Sequence, residues 1–421
     1  MNLFHTLSAG ALALAVTAHA EDQAIPVTRS FISRLASEAV RHHPKISAAR
    51  SRVLAADMAV KAVRLWEDPE AGLGATAAPR SYRQSNGDMA AGIAQKLPRR
   101  GLYEAQKRKA EADRQALSSE AGMNASEVGQ RVAEAALELA LVDDVLALQR
   151  EDFHWMESMA STAGERSKNP GSSAVESLRM ESELALKRQR VAAAERQRVR
   201  FAATLNLLLG RDAQSPWPAL TLPREMAAPA PSTTTASALV EARSPRLAGL
   251  RHQVEAAGAE IDMAREKRRP ALSVGVDTNT ASSGGFFDAM FSLKVSLPWF
   301  NDPAYKADVS RAEQLRAAAQ GDLQTEAKEL KIRLRGLLTE ADNSRLLAAS
   351  YQTEVVPKME KAAEAVQNAW VSSKATLLEV LEARRLLFDT RQEMDRAVAA
   401  EHAALAAITA LEGGFAPSTP K

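Results

Sequence analysis

Leu272-Ser273-Val274-Gly275-Val276-Asp277 and, beyond the turn residues Ser282-Ser283-Gly284-Gly285, Phe291-Ser292-Leu293-Lys294-Val295-Ser296-Leu297 alternate apolar with small or polar side chains. A period of two places each set on its own face of a strand. Leu272, Val274 and Val276, with Phe291, Leu293, Val295 and Leu297, make one face apolar. Each run is about ten residues, the length that crosses a bilayer as a tilted strand. The same alternation also suits a soluble hairpin lying on a helical core, because the pattern of a membrane strand is weak strand by strand.

A fainter copy of this hairpin lies about 200 residues upstream. There Ala71, Leu73 and Ala75 alternate with Gly72, Gly74 and Thr76, and Ala91, Ile93, Gln95 and Leu97 with Gly92, Ala94 and Lys96. The spacing is shared by other landmarks. Leu97-Pro98 answers Leu297-Pro298, His43-Pro44 answers Ser244-Pro245, and the Leu209-Gly210 helix end answers Glu412-Gly413. The chain is thus a tandem repeat: 21–210 and 238–413, joined by a Pro-, Ala- and Thr-rich linker at 211–237 and followed by a short tail at 414–421. Each repeat reads as a helix, two strands (about 69–97 and 271–297), a very long helix, a tip turn (about 168–173 and 371–375) and a return helix.

The first helix is expected over about 31–66, stopped by Asp68-Pro69, since the residue before proline is driven out of the α region. A proline-free run over 99–167 makes a rod of roughly 100 Å at 1.5 Å per residue. Asn169-Pro170-Gly171-Ser172-Ser173 breaks it, and a helix over 173–209 runs back. In the second repeat a helix over 304–370 carries Leu323, Ala327, Leu330, Leu334, Leu337 and Ala341 at alternating spacings of four and three, a coiled-coil seam. Pro357 removes one ladder hydrogen bond and should bend this helix. Ser372-Ser373-Lys374-Ala375 turns the chain into a last helix over 375–411.

Charge and cysteine content narrow the function classes. Fifty-four basic and 52 acidic residues give a formal net charge of +2 with the signs interspersed, a solvated helical surface rather than a nucleic-acid footprint. With no cysteine there is no disulfide, thiolate metal site or cysteine nucleophile. Residues 1–20 read as a secretory signal, with an apolar core and Ala18-His19-Ala20 as a small-x-small cleavage site, although the first six residues hold no Lys or Arg. No later stretch reaches the ~18 apolar residues of a spanning helix. Any membrane crossing must therefore use strands. Strands in hydrocarbon must close into a barrel, and the smallest spanning barrels have about eight. Four strands per chain require two or three chains, and the pattern does not choose between them.

Val356-Pro357-Lys358, Asn368-Ala369-Trp370 and Ser373-Lys374-Ala375-Thr376-Leu377-Leu378-Glu379-Val380-Leu381-Glu382-Ala383 resemble the tip of the TolC-like outer-membrane efflux channels, and the resemblance extends over nearly the whole mature chain. Two departures are Trp370, where the family has Tyr, and Ser in the turn where it has Gly. The resemblance implies a mainly α chain with a small β part. Long coiled-coil hairpins would form a helical tunnel through the periplasm, and four strands per chain would join a twelve-stranded barrel in a homotrimer. It implies a duct in the outer membrane of a Gram-negative bacterium, not an enzyme, without cofactor. Its partners would be a periplasmic adaptor, an inner-membrane pump of the RND type and outer-membrane lipid, and no nucleic acid. Ile93-Ala94-Gln95-Lys96-Leu97-Pro98-Arg99-Arg100-Gly101 resembles the heavy-metal branch, which favours metal cations over drugs. Drug efflux, protein secretion and a soluble periplasmic coiled-coil scaffold or adaptor are the alternatives.

The resemblance also assigns the candidate sites. Glu379 and Glu382 match the two acidic positions at the periplasmic entrance, and three-fold symmetry would make each a ring of carboxylates, which favours cations. In the first repeat Glu176 corresponds, but Arg179 replaces the second acid. The turns at 169–173 and 372–375 match the places where the adaptor docks. Exposed glutamates and plain helix turns are ordinary alternatives for both. His154 and Met156 suit a soft metal, but they point about 200° apart on a helix, and Met also serves as core filler. No resident metal site and no catalytic constellation are expected.

Overall fold

The computed structural model describes residues 24–75, 89–167, 174–224, 232–280 and 287–416. The expected signal segment, the expected first-repeat tip turn, residues 225–231 of the linker and the stretches between paired strands lie outside the described residues. Strand β1 (Ile25–Pro26) is followed by helices α1 (Arg29–His42) and α2 (Pro44–Ala62), strands β2 (Glu70–Ala75) and β3 (Met89–Lys96), and helices α3 (Arg100–Ser167) and α4 (Ala174–Leu209). The second repeat holds strand β4 (Leu220–Thr221) in its approach, then helices α5 (Thr233–Arg243) and α6 (Pro245–Lys267), strands β5 (Leu272–Thr280) and β6 (Phe287–Val295), α7 (Asp302–Ser350), α8 (Val356–Val371) and α9 (Leu377–Leu411). Among the described residues no helix is long and apolar enough to cross a membrane.

The long helices carry the mass of the fold. At 68 residues α3 is a rod of about 100 Å. Its middle packs Val128, Val132, Ala136 and Leu139 against Phe31, Leu35 and Ala39 of α1 and Leu205 and Leu209 of α4. In the second repeat Leu330, Leu334 and Leu338 of α7 pack with Val240, Leu247 and Ile408, and Leu323, Ala327 and Leu337 of the expected seam border this cluster.

Four local features differ from the sequence reading, each for a physical reason. The first helical run divides at His43, whose Nδ1 accepts the Lys45 N–H as the cap of α2. That helix ends at Ala62, short of residue 66, because the next stretch is an extended connector: Gln95 Nε2 donates to the Glu67 carbonyl at 2.8 Å. The described parts of the linker at 211–237, residues 211–224 and 232–237, are tied into the fold. Strand β4 runs parallel to β1, Asp143 Oδ2 accepts the Leu220 N–H and Asp144 Oδ2 the Leu222 N–H, both at 2.8 Å, and α5 already begins at Thr233 behind the Ser232 cap. The expected 304–370 helix widens into a π turn at Tyr351–Val355. Pro357 has no N–H for the Thr353 carbonyl and its ring presses on that group, and the wide turn moves the carbonyl away.

The strands form one antiparallel sheet in the order β2-β3-β5-β6, so the two repeats meet at β3 and β5. Cross-strand partners Ala71, Ile93, Val276 and Phe291 make a continuous apolar row through all four strands, and Val274 and Leu293 extend it. This face is bare, with Leu73 at 91% and Phe291 at 82% exposed. The opposite face carries Gly72, Gly92, Gly275, Ser292 and Asp277. A Cβ at Gly92 would meet the Asp277 carboxylate, which would have to turn away to admit it. Leu297, expected as a strand residue, lies beyond β6 and leads into a short 3-10 turn.

Candidate functional site at the hairpin tips

Trp370, near the end of α8, is the anchor of the tip. It is 2% exposed and lies in a cluster with Met156, Met159 and Ala163 of α3, Met180 of α4, and Leu377 and Val380 of α9, which packs the two hairpins together. Met156 and Met159 are therefore core side chains. His154 is exposed and faces Glu157, with Nδ1 to Oε2 at 3.6 Å. Among the described residues no three His, Cys, Asp or Glu side chains gather as a metal site.

The turn after α8 is closed by backbone. Lys374 N–H donates to the Ala369 carbonyl at 2.7 Å and Ser373 N–H to the Trp370 carbonyl at 2.9 Å. This is the Schellman pattern, with Ser373 in the left-handed region at φ 57°. A non-glycine residue there costs about 1–2 kcal/mol. Ser373→Gly is accordingly expected to raise stability by about 1 kcal/mol, read as a higher midpoint in thermal unfolding; an unchanged or lower midpoint would show that the turn is not strained.

Thr376 then caps α9. Its Oγ1 accepts the Glu379 N–H at 3.3 Å, and Glu379 Oε2 accepts the Thr376 N–H at 2.7 Å and its hydroxyl at 3.0 Å. Thr376-Leu377-Leu378-Glu379 is a capping box, a signal that S/T-x-x-E spacing supplies directly. These hydrogen bonds hold the Glu379 carboxyl below the usual carboxylate range, so it stays charged. The two candidate acids thus differ. Glu379 is committed to the cap, whereas Glu382 is exposed and among the described residues has no ion-pair partner. Val380 points into the core, and Glu382 lies about 160° from it around the helix. Glu176 is half-buried in the first turn of α4 beside exposed Arg179. Of the turn residues, Ser372, Ser373 and Lys374 are exposed and Ala375 is half-buried; Asn169, Pro170, Gly171, Ser172 and Ser173 lie outside the described residues.

Two to four turns above the tip lies an ion network that periodicity and motif spacing do not reveal. Asp152 of α3, its side chain only 3% exposed, pairs with Lys187 of α4 and accepts from Arg384 Nε of α9 at 2.9 Å. Glu151 accepts from Arg384 at 3.1 Å and Arg391 at 3.0 Å, and Arg391 also reaches Glu360 of α8 at 2.6 Å. Arg384 stacks on Trp155 at 5.0 Å, whose Nε1–H donates to Gln367 Oε1 at 3.1 Å. One network therefore ties four helices. A cavity above it, lined by Asp144, Arg224, Arg391 and Asp395, holds the half-buried Asp395, whose carboxyl is raised to about 7 by loss of solvent and, secondarily, by the nearby Asp144 carboxylate.

Residues 237–414 match the model of a family described as "Outer membrane efflux protein". No curated protein matches the chain by sequence. Solved structures match it along its length. A membrane protein from Pseudomonas aeruginosa is 19% identical, with 92% of this chain and 93% of that chain covered and a TM-score of 0.78. VceC, an outer membrane protein of Vibrio cholerae, is 15% identical, with 92% and 97% covered and a TM-score of 0.77. The CmeC outer membrane channel of Campylobacter jejuni is 14% identical, with 100% and 95% covered and a TM-score of 0.76. The second repeat thus carries the sequence signature of the outer membrane efflux protein family, and the chain as a whole has the fold of outer-membrane channels.

Proposed function

We propose that the chain is one subunit of a passive homotrimeric duct in the outer membrane of a Gram-negative bacterium. It is an exit path for small solutes and not an enzyme. The observation that carries this reading is the sheet. Strands β2 and β6 pair only inward among the described residues, and one face is a bare apolar row. In lipid the outer edges must find partners, and other copies of the chain supply them. Three copies, as the family resemblance implies, give twelve strands. The helices would then enclose a tunnel into the periplasm, with a periplasmic adaptor at the tip turns and an RND-type pump supplying the driving force. The resemblance at Ile93-Gly101 to the heavy-metal branch favours a metal species as cargo. A soluble scaffold has no use for an exposed apolar sheet face, which sets that alternative second.

Two measurements test this. The protein should fractionate with outer membranes and run as a heat-sensitive oligomer of three chains; a soluble monomer whose mobility ignores boiling contradicts the reading. Glu382→Gln should lower cation preference through the reconstituted pore while Glu379→Gln mainly loosens the tip, because only Glu379 is spent on the cap. Equal effects of the two substitutions on selectivity would contradict that division.

A further inference from the structure

The uncovered face of α9 does not stay acidic. Its buried side holds Val380 and Leu387. Arg385 lies about 140° and 160° around the helix from these two and about 60° from Glu382, and its side chain is 83% exposed. Asp389 follows on the same stripe, 3.8 Å from Arg385, and then the exposed pair Glu393 and Arg396 at 2.6 Å. This stripe is not a side seam. Arg384 and Arg391 lie within about 20° of each other on the packed side of α9, where they hold it to Asp152 and Glu151 of α3 and to Glu360 of α8, so the stripe is the side turned away from both helices.

We propose that Arg385 is a specificity-determining residue of the duct entrance, forming a cationic ring directly above the Glu382 ring. The assignment rests on the duct reading above and on Glu382 lining the lumen. Along the helix the two positions are about 4.5 Å apart, and Asp389 is about 6 Å further. Both steps are shorter than the ~8 Å screening length at physiological salt. The rings therefore act on a permeating solute together, and the Arg385 guanidinium offsets part of the acidic field of Glu382 and Asp389. With Glu379 occupied in the cap, the entrance is a stack of alternating sign rather than a cation attractor. A bare ion of either sign meets both attractive and repulsive rings. A solute carrying both charges, a zwitterion or a charge-neutral ion complex, can match the alternation and avoids that barrier.

The test is the reversal potential of the purified oligomer in planar lipid bilayers under a potassium chloride gradient. Arg385→Gln should raise the potassium-to-chloride permeability ratio about threefold or more, Glu382→Gln should lower it, and Arg385→Lys should keep the parent ratio. Because Arg385 is exposed, assembly should be unaffected, and the Lys variant controls for it. A parent protein that conducts nothing overturns the duct reading itself. A conducting Arg385→Gln pore with the parent ratio overturns only the Arg385 assignment and leaves the duct standing.

Discussion

Asp152→Ala is expected to destabilise the chain by about 3–5 kcal/mol, the cost of removing one partner from a buried ion pair. The reason is what stays behind. Lys187 keeps 11% side-chain exposure and Arg384 keeps 17%, and both lose their shared carboxylate. Glu151 can still serve Arg384, but it is half exposed and already holds Arg391. Asp152→Asn should cost nearly as much, because the amide retains the shape and lacks the charge. Replacing Lys187 by Met together with Asp152→Leu should recover much of the loss, since a well-packed apolar pair can match a buried ion pair. Thermal unfolding in detergent, followed by circular dichroism, would measure all three. Hydrogen exchange should rise most in the lower thirds of α3, α4, α8 and α9, which the network joins. A drop below about 1 kcal/mol for Asp152→Ala, the range of surface pairs, would show that the network is solvated and holds nothing.

The second large effect is expected at the sheet. Val276 pairs with Ile93 on one side and Phe291 on the other, at the middle of the apolar row. Val276→Arg places a guanidinium where the proposed barrel meets lipid, at about 2–4 kcal/mol per site near the bilayer midplane. A trimer bears that cost three times. The heat-sensitive oligomer should be lost while the helical content of the monomer survives. Met290→Arg is the control. It pairs with Asp277 on the opposite face, where a long polar side chain would meet the lumen of the proposed barrel. Equal damage from both substitutions would mean that the two faces see the same environment, and the barrel would have to be abandoned.

What could be read from the sequence followed from period and punctuation. Pro98 and Pro298 lie just beyond the strand ends, and the 4-3-4 spacing of Leu330, Leu334, Leu337 and Ala341 marks the seam, because both follow local rules of backbone geometry. Leu220–Thr221 escaped, since a two-residue strand has no period and its pairing depends on Asp143 and Asp144 some 77 residues earlier. The tip network escaped for the same reason. Asp152, Lys187, Arg384 and Arg391 are ordinary helix charges until three-dimensional packing removes water from them. The capping box is different: Thr376 and Glu379 stood at the right spacing, and the resemblance to an entrance acid drew the reading toward selectivity alone.

The wide turn at Tyr351–Val355 also shifts the frame in which the rest of its rod is read. A π turn absorbs one residue more than an α turn, and one residue is worth about 100° of rotation. In an unbroken helix Ala369, not Trp370, would point into the space between Met156 and Met180. The indole reaches its socket because the rod skips a count near its middle. A one-residue deletion, harmful almost anywhere along a packed helix, would at these five positions leave the tip in phase, while returning the Pro357 ring to the carbonyl four residues before it.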